Sequence, residues 1–481
     1  MDKYLGNKAK ITSEIIQKIT EFSGLKSGIV FDAFSGTTNV GRSFKSAGFD
    51  VISNDINDLS YVLGKCYLEN SEYPSFSVLF ASNKKIVEHI RRMQQTAEFE
   101  IYKKNFISLN KYLVDEKTLK EMKNENFISL LVYLTYFSNK NDISDLDYKL
   151  HLFITQNYTE YGTNSTYLNL VYKKGLEKIS RSLKKNNPDL SFMIDDFLKP
   201  PFDKSLLEKC LSQMDSTFSE YESLKKIVSK NNLTGKRKFF SKKHAERIDL
   251  ILNTVCALSK SKLISESEYY YLLCSLLESV ALFSNTSATY QAFYKTYRAN
   301  TLQDFRLVVP ILSSTKISAT ILQEDSYSLI PEKKCDILYL DPPYNWRQYD
   351  SNYHLLNTLA RYREIKNIKK FEDNIVGASG ENRVEKLQYT SFNNNSKFAE
   401  RLFEAIIKSK SKIVAVSYSD SISNHKKGKI NDLIDEFNSF FSDQTVFSSF
   451  TLYQIESVNF ESRKGNKKQK IHELLFVAKK K

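Results

Sequence analysis

The hydrophobic pattern at both ends of the chain is that of alternating helices and strands. Near the start, apolar residues recur on one face of a predicted helix capped by Ser13, and short apolar runs at 28–34 and 51–55 predict two buried strands around a second helix. Strand-like runs return late in the chain, at Ser318–Leu322, Asp336–Leu340, Ser411–Tyr418 and Glu473–Ala478, with a helical stretch at Phe398–Ser409. The pattern predicts one α/β sheet built from both ends of the chain.

The middle of the chain has a longer, helical periodicity. Tyr269–Phe283 is apolar almost all round, which predicts a buried helix. We therefore predict a discontinuous α/β domain formed by residues 1–65 plus 305–481 and a mainly helical inserted region at 66–304. Within the insertion, Lys199-Pro-Pro-Phe202 has no acid before its prolines, and we interpret it as a loop.

Composition adds a positive charge to this picture. Among the 481 residues, 70 Lys and Arg outnumber 56 Asp and Glu, so the formal net charge is +14 and a polyanionic partner is favoured. The apolar runs are too short to cross a bilayer and the N-terminus lacks a secretory signal, so we expect a cytoplasmic protein without a membrane partner. The five cysteines show no metal-ligand spacing, which predicts free thiols and no metal site.

Much of the positive charge lies in Tyr221–Arg247, which carries nine basic residues and two acids. Phe239 and Phe240 lie within this stretch, and aromatic side chains interleaved with cations are typical of a nucleic-acid groove. We therefore predict phosphate contacts for Lys236, Arg237 and Lys238. A solvated charged face is the alternative.

The first chemical motif is Asp32-Ala-Phe34-Ser-Gly36, followed by Asp55 after the next strand. A glycine-bearing turn before a helix leaves backbone N–H groups free and lets a ligand approach the main chain, and an acid about 20 residues later can bind a ribose diol. The spacing is not GxGxxG, so a nucleoside without pyrophosphate fits better, and S-adenosylmethionine is the common one. Plain strand-to-helix packing is the alternative.

The second motif, Asp341-Pro342-Pro343-Tyr344, directly follows a predicted buried strand. The prolines supply no N–H donors and leave carbonyl acceptors, to which Asp341 adds a carboxylate and Tyr344 a flat ring. An exocyclic amino group on a planar base needs two acceptors for its hydrogens and a ring on which to stack. These four residues are the predicted catalytic set; a proline-rich strand exit with an incidental acid is the alternative.

Together with Tyr4-Leu-Gly-Asn-Lys8, and in this order, the two motifs resemble those of the adenine-specific DNA methyltransferases of the alpha group. The string from Asp341 to His354 is similar to the branch that includes modification enzymes of type II and type IIS restriction systems. The resemblance implies a Rossmann-like S-adenosylmethionine-dependent methyltransferase sheet with an inserted target-recognition region. It also implies methylation of a flipped adenine in double-stranded DNA.

The resemblance also implies residue roles and partners. A cofactor pocket would be formed by Tyr4, Lys8, Asp32, Phe34, Gly36, Asp55 and Asp325, and DNA contacts by Asn345 and His354. For His354, a core position on a helix face is an equal alternative. A restriction endonuclease encoded nearby is an expected partner, and we expect a monomer or weak dimer. The alternative functions are RNA adenine methylation and a catalytically silent DNA-binding module.

Overall fold

The computed structural model describes residues 8, 10–110, 125–313, 315, 317–343, 349–382, 398–419, 429–458 and 470–481. The described strands are β1 Ile29–Asp32, β2 Asp50–Asn54, β3 Thr166–Leu168, β4 Thr234–Lys236, β5 Ala319–Leu322, β6 Lys334–Leu340, β7 Ile375–Val376, β8 Glu381–Asn382, β9 Lys410–Ser419, β10 Phe447–Val458 and β11 Lys470–Lys480.

Helices account for most of the remaining regular structure. They are α1 Thr12–Ser23, α2 Asn39–Ser46, α3 Asp58–Gly64, α4 Ser77–Phe80, α5 Lys85–Gln94, α6 Ala97–Asn110, α7 Glu125–Val132, α8 Phe153–Tyr158, α9 Leu170–Leu183, α10 Pro188–Phe197, α11 Lys204–Gln213, α12 Tyr221–Val228, α13 Lys242–Lys260, α14 Glu266–Phe283, α15 Ala299–Leu302, α16 Ser326–Leu329, α17 Tyr349–Ala360, α18 Ile368–Glu372, α19 Phe398–Lys408 and α20 Lys429–Phe441. Short π-helical turns follow α3 and α7 at Lys65–Glu69 and Tyr133–Phe137, and a 3₁₀ turn lies at Tyr362–Glu364.

Seven strands form the main sheet, in the order β10-β11-β9-β6-β1-β2-β5. Strand β11 pairs antiparallel with both of its neighbours, and the other neighbouring pairs are parallel. This mostly parallel sheet, drawn from both ends of the chain, confirms the predicted Rossmann-like α/β fold. The sequence pattern missed β10, because polar residues interrupt its apolar positions. The predicted cap of α1 was wrong, since the N-cap residue is Ile11 rather than Ser13.

Helices cover both faces of the sheet. Alternate residues of a strand point to opposite sides, so each strand contributes apolar side chains to both layers. Val30 on β1 packs with Ile15 of α1 and Phe44 of α2 on one face. Phe31 packs on the other face, with Leu402 of α19 and others. These two apolar layers hold the carboxyl ends of the parallel strands in fixed positions.

A large helical core adjoins the sheet and confirms that the middle of the chain is mainly helical. Its centre includes α14, which is buried along most of its length as its apolar sequence predicts. The same core includes Leu59 and Leu63 of α3 and Leu355 of α17, so its packing continues across the predicted boundaries at 65 and 305. Those boundaries stay predictions.

A smaller helical unit within the insertion has its own core. Helices α9 to α12 contribute Leu176, Ile194, Leu207 and Leu224, and the β3–β4 hairpin contributes Leu168. The loop interpretation of Lys199–Phe202 is confirmed, since it joins α10 to α11. In the described part of the chain, no helix is both long and apolar enough to span a membrane. All five cysteines are buried free thiols, as predicted.

Candidate functional site

The sheet brings the two sequence motifs together at one edge. Strands β1 and β6 are parallel neighbours, and from them the sheet continues to β2 on one side and to β9 on the other. Such a switch point leaves a crevice at the carboxyl ends of the strands, where α/β proteins bind ligands. Asp32 ends β1, Asp341 follows β6, and Asp55 follows β2.

Asp32 is a buried carboxylate without a hydrogen-bond partner among the described residues. Its residue surface is 1% exposed, and neither oxygen accepts a hydrogen bond of normal geometry. Burial, followed by the charges of Asp341 and Asp55, raises its pKa to about 8, although the amides of Phe34 and Gly41 oppose this. An unpaired buried acid of this kind is suited to receive a cationic or hydrogen-donating ligand.

The loop after β1 is tied to the end of β2. Gly36, at a φ of +48° that favours glycine, donates its N–H to Oδ2 of Asp55 at 2.8 Å. Oδ1 of Asp55 accepts from the backbone and side chain of Asn57, at 2.9 and 3.2 Å. Burial raises the pKa of Asp55, and these hydrogen bonds oppose the rise. Phe34, partly buried, lies in the same loop, so the structure groups Asp32, Phe34, Gly36 and Asp55 as the sequence predicts.

Asp325 lies at the same edge of the sheet, after β5. Its Oδ1 accepts from the N–H of Tyr327 at 3.2 Å and caps α16. The side chain of Asn54, at the end of β2, donates to Oγ of Ser326 and to the carbonyl of Glu324, both at 3.0 Å. The loop that carries Asp325 is thereby fixed against β2.

Lys8 lies against the predicted catalytic residue Asp341. Its Nζ is 3.1 Å from Oδ1 of Asp341 and donates to Oγ of Ser417 at 3.0 Å. It also forms an ion pair with Glu473 on β11. Sequence reasoning missed Glu473 and Ser417; the available signal was an acid at the start of an otherwise apolar strand. Tyr4, the other residue expected from this motif, lies outside the described residues.

Asp341 occupies the loop that leaves β6, and its side chain is 22% exposed. Burial and the charge of Glu473 raise its pKa to about 6, while Lys8 opposes the rise. Pro342 is buried and Pro343 is partly buried. Tyr344 and Asn345 lie outside the described residues.

A buried amide links the segment after the Asp-Pro-Pro motif to the cofactor loop. Nδ2 of Asn357, on α17, donates to Oδ1 of Asn57 at 3.2 Å and to Oδ1 of Asp350 at 3.0 Å. Its Oδ1 accepts from the N–H of Leu59 at 3.1 Å. Because Asn57 also bonds to Asp55, a continuous set of hydrogen bonds joins α17 to the predicted ribose site. Sequence reasoning missed Asn357, for which there was no local signal.

The three predicted phosphate contacts differ in exposure. Lys236 is exposed, and Lys238 is partly exposed with its Nζ 2.8 Å from Oε2 of Glu160. Arg237 is 1% exposed. Its guanidinium donates to the carbonyl oxygens of Gly377, Asn157 and Asn164 at 2.8, 2.9 and 3.1 Å. The structure therefore contradicts a phosphate contact for Arg237, because its donors are used inside the fold.

Burial also argues against the nucleic-acid contacts predicted for Phe239, Phe240 and His354. Phe239 and Phe240 are both 0% exposed and belong to the helical core, so they line no open groove. His354 is buried, and its Nδ1 and Nε2 each lie 3.0 Å from a backbone carbonyl, of Ser351 and Ser379. Burial lowers its pKa to about 4. These contacts favour the core alternative for His354 over a DNA contact.

Helix α9 exposes a basic face that sequence reasoning also missed. Lys174, Lys178 and Arg181 are three to four residues apart and exposed, so they lie on one side of the helix. Lys173, on the same helix, is instead partly buried and lies 4.0 Å from Glu177. The helical spacing of the three cations was the available signal. Among the residues with described positions, no group of three or more His, Cys, Asp or Glu side chains is placed to hold a metal ion.

Comparison with known proteins points to one family. A family model described as D12 class N6 adenine-specific DNA methyltransferase matches residues 4–147 and 202–422. The chain is 31% identical over 245 residues to modification methylase StsI of Streptococcus sanguinis and 33% identical over 256 residues to modification methylase LlaI of Lactococcus lactis subsp. lactis. It is 24% identical over 479 residues to type II methyltransferase M.FokI of Planomicrobium okeanokoites.

These alignments cover unequal shares of the proteins. They include 50%, 52% and 99% of this chain, but 34%, 39% and 52% of StsI, LlaI and M.FokI. The chain therefore spans between about a third and a half of the length of these curated relatives. No solved structure gives a significant match.

Proposed function

This chain belongs to the D12 class of N6 adenine-specific DNA methyltransferases, and we propose that it methylates N6 of a flipped adenine in double-stranded DNA. One observation carries the proposal. Asp341-Pro342-Pro343, a set of acceptors without N–H donors at the prolines, lies beside the buried, unpaired Asp32 at the switch point of the sheet. A set of acceptors for an amine and an acid suited to a cation are thus next to each other.

The residues of the crevice fit the cofactor of this family, S-adenosylmethionine. The cofactor is cationic at its sulfonium and amino groups. A cation bound against the buried, unpaired carboxyl group of Asp32 favours its ionised form, so that the two charges pair. Gly36 leaves the main chain open, Asp55 has carboxylate oxygens for the ribose, and Phe34 and Asp325 border the same edge. When bound, the cofactor supplies an electrophilic methyl group.

Asp341 and Pro342 orient the target amine. The carboxylate of Asp341 and the carbonyl of Pro342 accept the two N6 hydrogens, which draws the nitrogen toward a tetrahedral geometry and raises its electron density. The proline pair contributes no competing donor. Asp341 is also placed to take the proton that N6 loses after methylation. Correct positioning of reactants can contribute about 7–11 kcal/mol.

Flipping the adenine out of the duplex costs a few kcal/mol, which stacking on an aromatic ring offsets in part. We assign that stacking to Tyr344, and a contact to nearby DNA to Asn345, from the family motif. Tyr4 would contribute to the cofactor pocket on the same ground. These three assignments concern residues outside the described part of the chain.

For the DNA backbone, the exposed cations favour Lys236 and the basic face of α9. Phosphate contacts by Lys and Arg supply affinity that does not depend on sequence. Lys238 forms an ion pair with Glu160, which leaves its ammonium group less available for a phosphate contact. Helix α9 lies in the stretch between the two segments matched by the family model.

We propose that the protein protects DNA as part of a restriction–modification system, because StsI and LlaI are named modification methylases. A restriction endonuclease encoded nearby would be its partner, and a monomer or weak dimer would suffice for the reaction. In this setting we place the protein in the cytoplasm, where it meets chromosomal DNA.

Transfer of a labelled methyl group to duplex DNA and to structured RNA, side by side, tests the function. We expect label in DNA with the wild-type protein and loss of transfer in Asp341→Ala, with cofactor binding kept. Label in RNA alone supports the RNA alternative. DNA binding without any transfer supports a silent DNA-binding module.

A further inference from the structure

Glu473 is a buried acid on the one strand that runs against the rest of the sheet. It lies on β11, is 6% exposed, and precedes the apolar run Leu474–Ala478. Its Oε1 accepts from Oγ of Ser417, on the neighbouring β9, at 2.7 Å. The same oxygen pairs with Nζ of Lys8. A charged group at such a position needs compensation, and the ammonium of Lys8 supplies it.

Lys8 is shared by two carboxylates. Its side chain is 7% exposed, and its Nζ contacts Glu473, Ser417 and, at 3.1 Å, Oδ1 of Asp341. Ammonium groups on long, flexible stems are not held in place by their own geometry. Glu473 and Ser417 supply that restraint from two adjacent strands, and Lys8 transmits it to Asp341.

The sharing has a chemical consequence for Asp341. A lysine paired with Asp341 alone would neutralise that carboxylate and compete with the adenine amine for it. Because Glu473 takes part of the ammonium's interaction, Asp341 keeps its strength as an acceptor while its orientation stays fixed.

We propose that Glu473 is a positioning residue for methyl transfer, which holds Lys8 against Asp341 with the help of Ser417. The proposal rests on the proposed function and deepens it. Glu473 acts through Lys8 and needs no contact with substrate or cofactor.

The pH profile separates this role from a purely structural one. The groups that face Asp341 are Lys8 before α1, Glu473 on β11, Asp32 at the end of β1 and Tyr339 on β6. The negative charge of Glu473 raises the pKa of Asp341. Glu473→Gln removes that charge and so lowers the pKa of Asp341. In a plot of kcat against pH, the acidic limb should therefore move to lower pH. A defect confined to folding would leave the limb where it is.

The test compares Glu473→Gln and Glu473→Asp with wild type, using duplex DNA and S-adenosylmethionine. Misplacement of a reacting group by about 1 Å costs about 100-fold in rate, so we expect kcat of Glu473→Gln to fall about 10- to 100-fold. The Kd for S-adenosylmethionine should change less than threefold. Glu473→Asp keeps the charge and should retain more activity than Glu473→Gln.

Glu456→Gln is the matched control, because Glu456 is exposed on the adjacent strand β10. We expect its kcat and pH profile to equal those of wild type. An unchanged kcat and acidic limb in Glu473→Gln would overturn the inference. If Glu473→Gln does not fold, Glu473→Asp is the second test, because its shorter side chain withdraws the carboxylate from Lys8 and Ser417. A wild-type kcat in a folded Glu473→Asp overturns the inference as well. A wild-type protein that methylates no DNA contradicts the proposed function, which is a different outcome.

Discussion

Nζ of Lys8 and Oδ1 of Asp341 lie 3.1 Å apart, although the two residues are far apart in the sequence. Lys8 precedes the first helix, and Asp341 follows the sixth strand. The contact places a cation beside the carboxylate that should accept hydrogen bonds from the target amine. It also makes the ionisation of Asp341 depend on a distant part of the chain.

Lys8→Gln should move the acidic limb of the kcat profile to higher pH. Lys8 lowers the pKa of Asp341, which burial otherwise raises, so its loss lets the carboxylate take up a proton at higher pH. The direction is opposite to that expected for Glu473→Gln. Steady-state methyl transfer between pH 5 and 9 measures both. Movement of the two limbs in the same direction would show that the pair does not act electrostatically on Asp341.

Asp32→Asn should stabilise the free protein while weakening cofactor binding. Burial raises the pKa of Asp32 from 3.8 to about 8. Between about pH 4 and pH 8 the folded state therefore holds a proton that the unfolded state has lost, so stability falls as pH rises through this window. Asparagine does not titrate. The Tm of the variant minus that of wild type should grow from pH 5 to pH 8.

Asp203→Asn is the control for this measurement, because hydrogen bonds from Ser205 lower the pKa of Asp203 and keep it ionised over the same range. The Tm of Asp203→Asn minus that of wild type should stay constant from pH 5 to pH 8. Calorimetric titration with S-adenosylmethionine should show a Kd about 10- to 100-fold higher for Asp32→Asn, as expected for loss of a hydrogen bond to a charged group. An unchanged Kd would remove Asp32 from the cofactor site.

Asn357→Ala should raise KM for S-adenosylmethionine about tenfold, with a smaller effect on kcat. The change removes the bonds to Asn57 and Leu59, and through Asn57 it loosens Asp55; buried polar groups left unsatisfied cost about 1–3 kcal/mol each. Steady-state kinetics with saturating DNA measures the change. Asn374→Ala, which removes one side-chain bond to Lys370 on α18, is the control. Equal KM values for the two variants would show that the hydrogen bonds of Asn357 do not support the cofactor site.

Lys178→Gln combined with Arg181→Gln should lower the salt dependence of DNA binding. Each lost phosphate contact reduces the slope of log K against log salt by about 0.9, so the double variant should lose about two units. Anisotropy titrations of a labelled duplex at several salt concentrations measure the slope. Lys173→Gln combined with Lys184→Gln removes the same charge next to Glu177 and Asp195 and serves as control. Equal slopes in the two double variants would make the α9 face a solvated surface.

The parts of the site that could be predicted from sequence are those set by local motifs at strand ends. Asp32, Asp55 and Asp341 each follow an apolar run, and parallel strands bring such positions to one edge. Glu473 and Asn357 could not be found this way, because their roles depend on pairing between distant segments. Arg237 shows the opposite error, since a run of charges in sequence does not reveal which of its members is turned into the fold.

Identification of the methylated nucleoside tests the proposed function most directly. Duplex DNA incubated with the purified protein and S-adenosylmethionine carrying a labelled methyl group is digested to nucleosides, which are separated by chromatography and mass spectrometry. We expect the label in N6-methyldeoxyadenosine and its absence with Asp341→Ala. Label in a methylated cytosine, or no label in DNA from the wild-type protein, would contradict adenine methylation by this site.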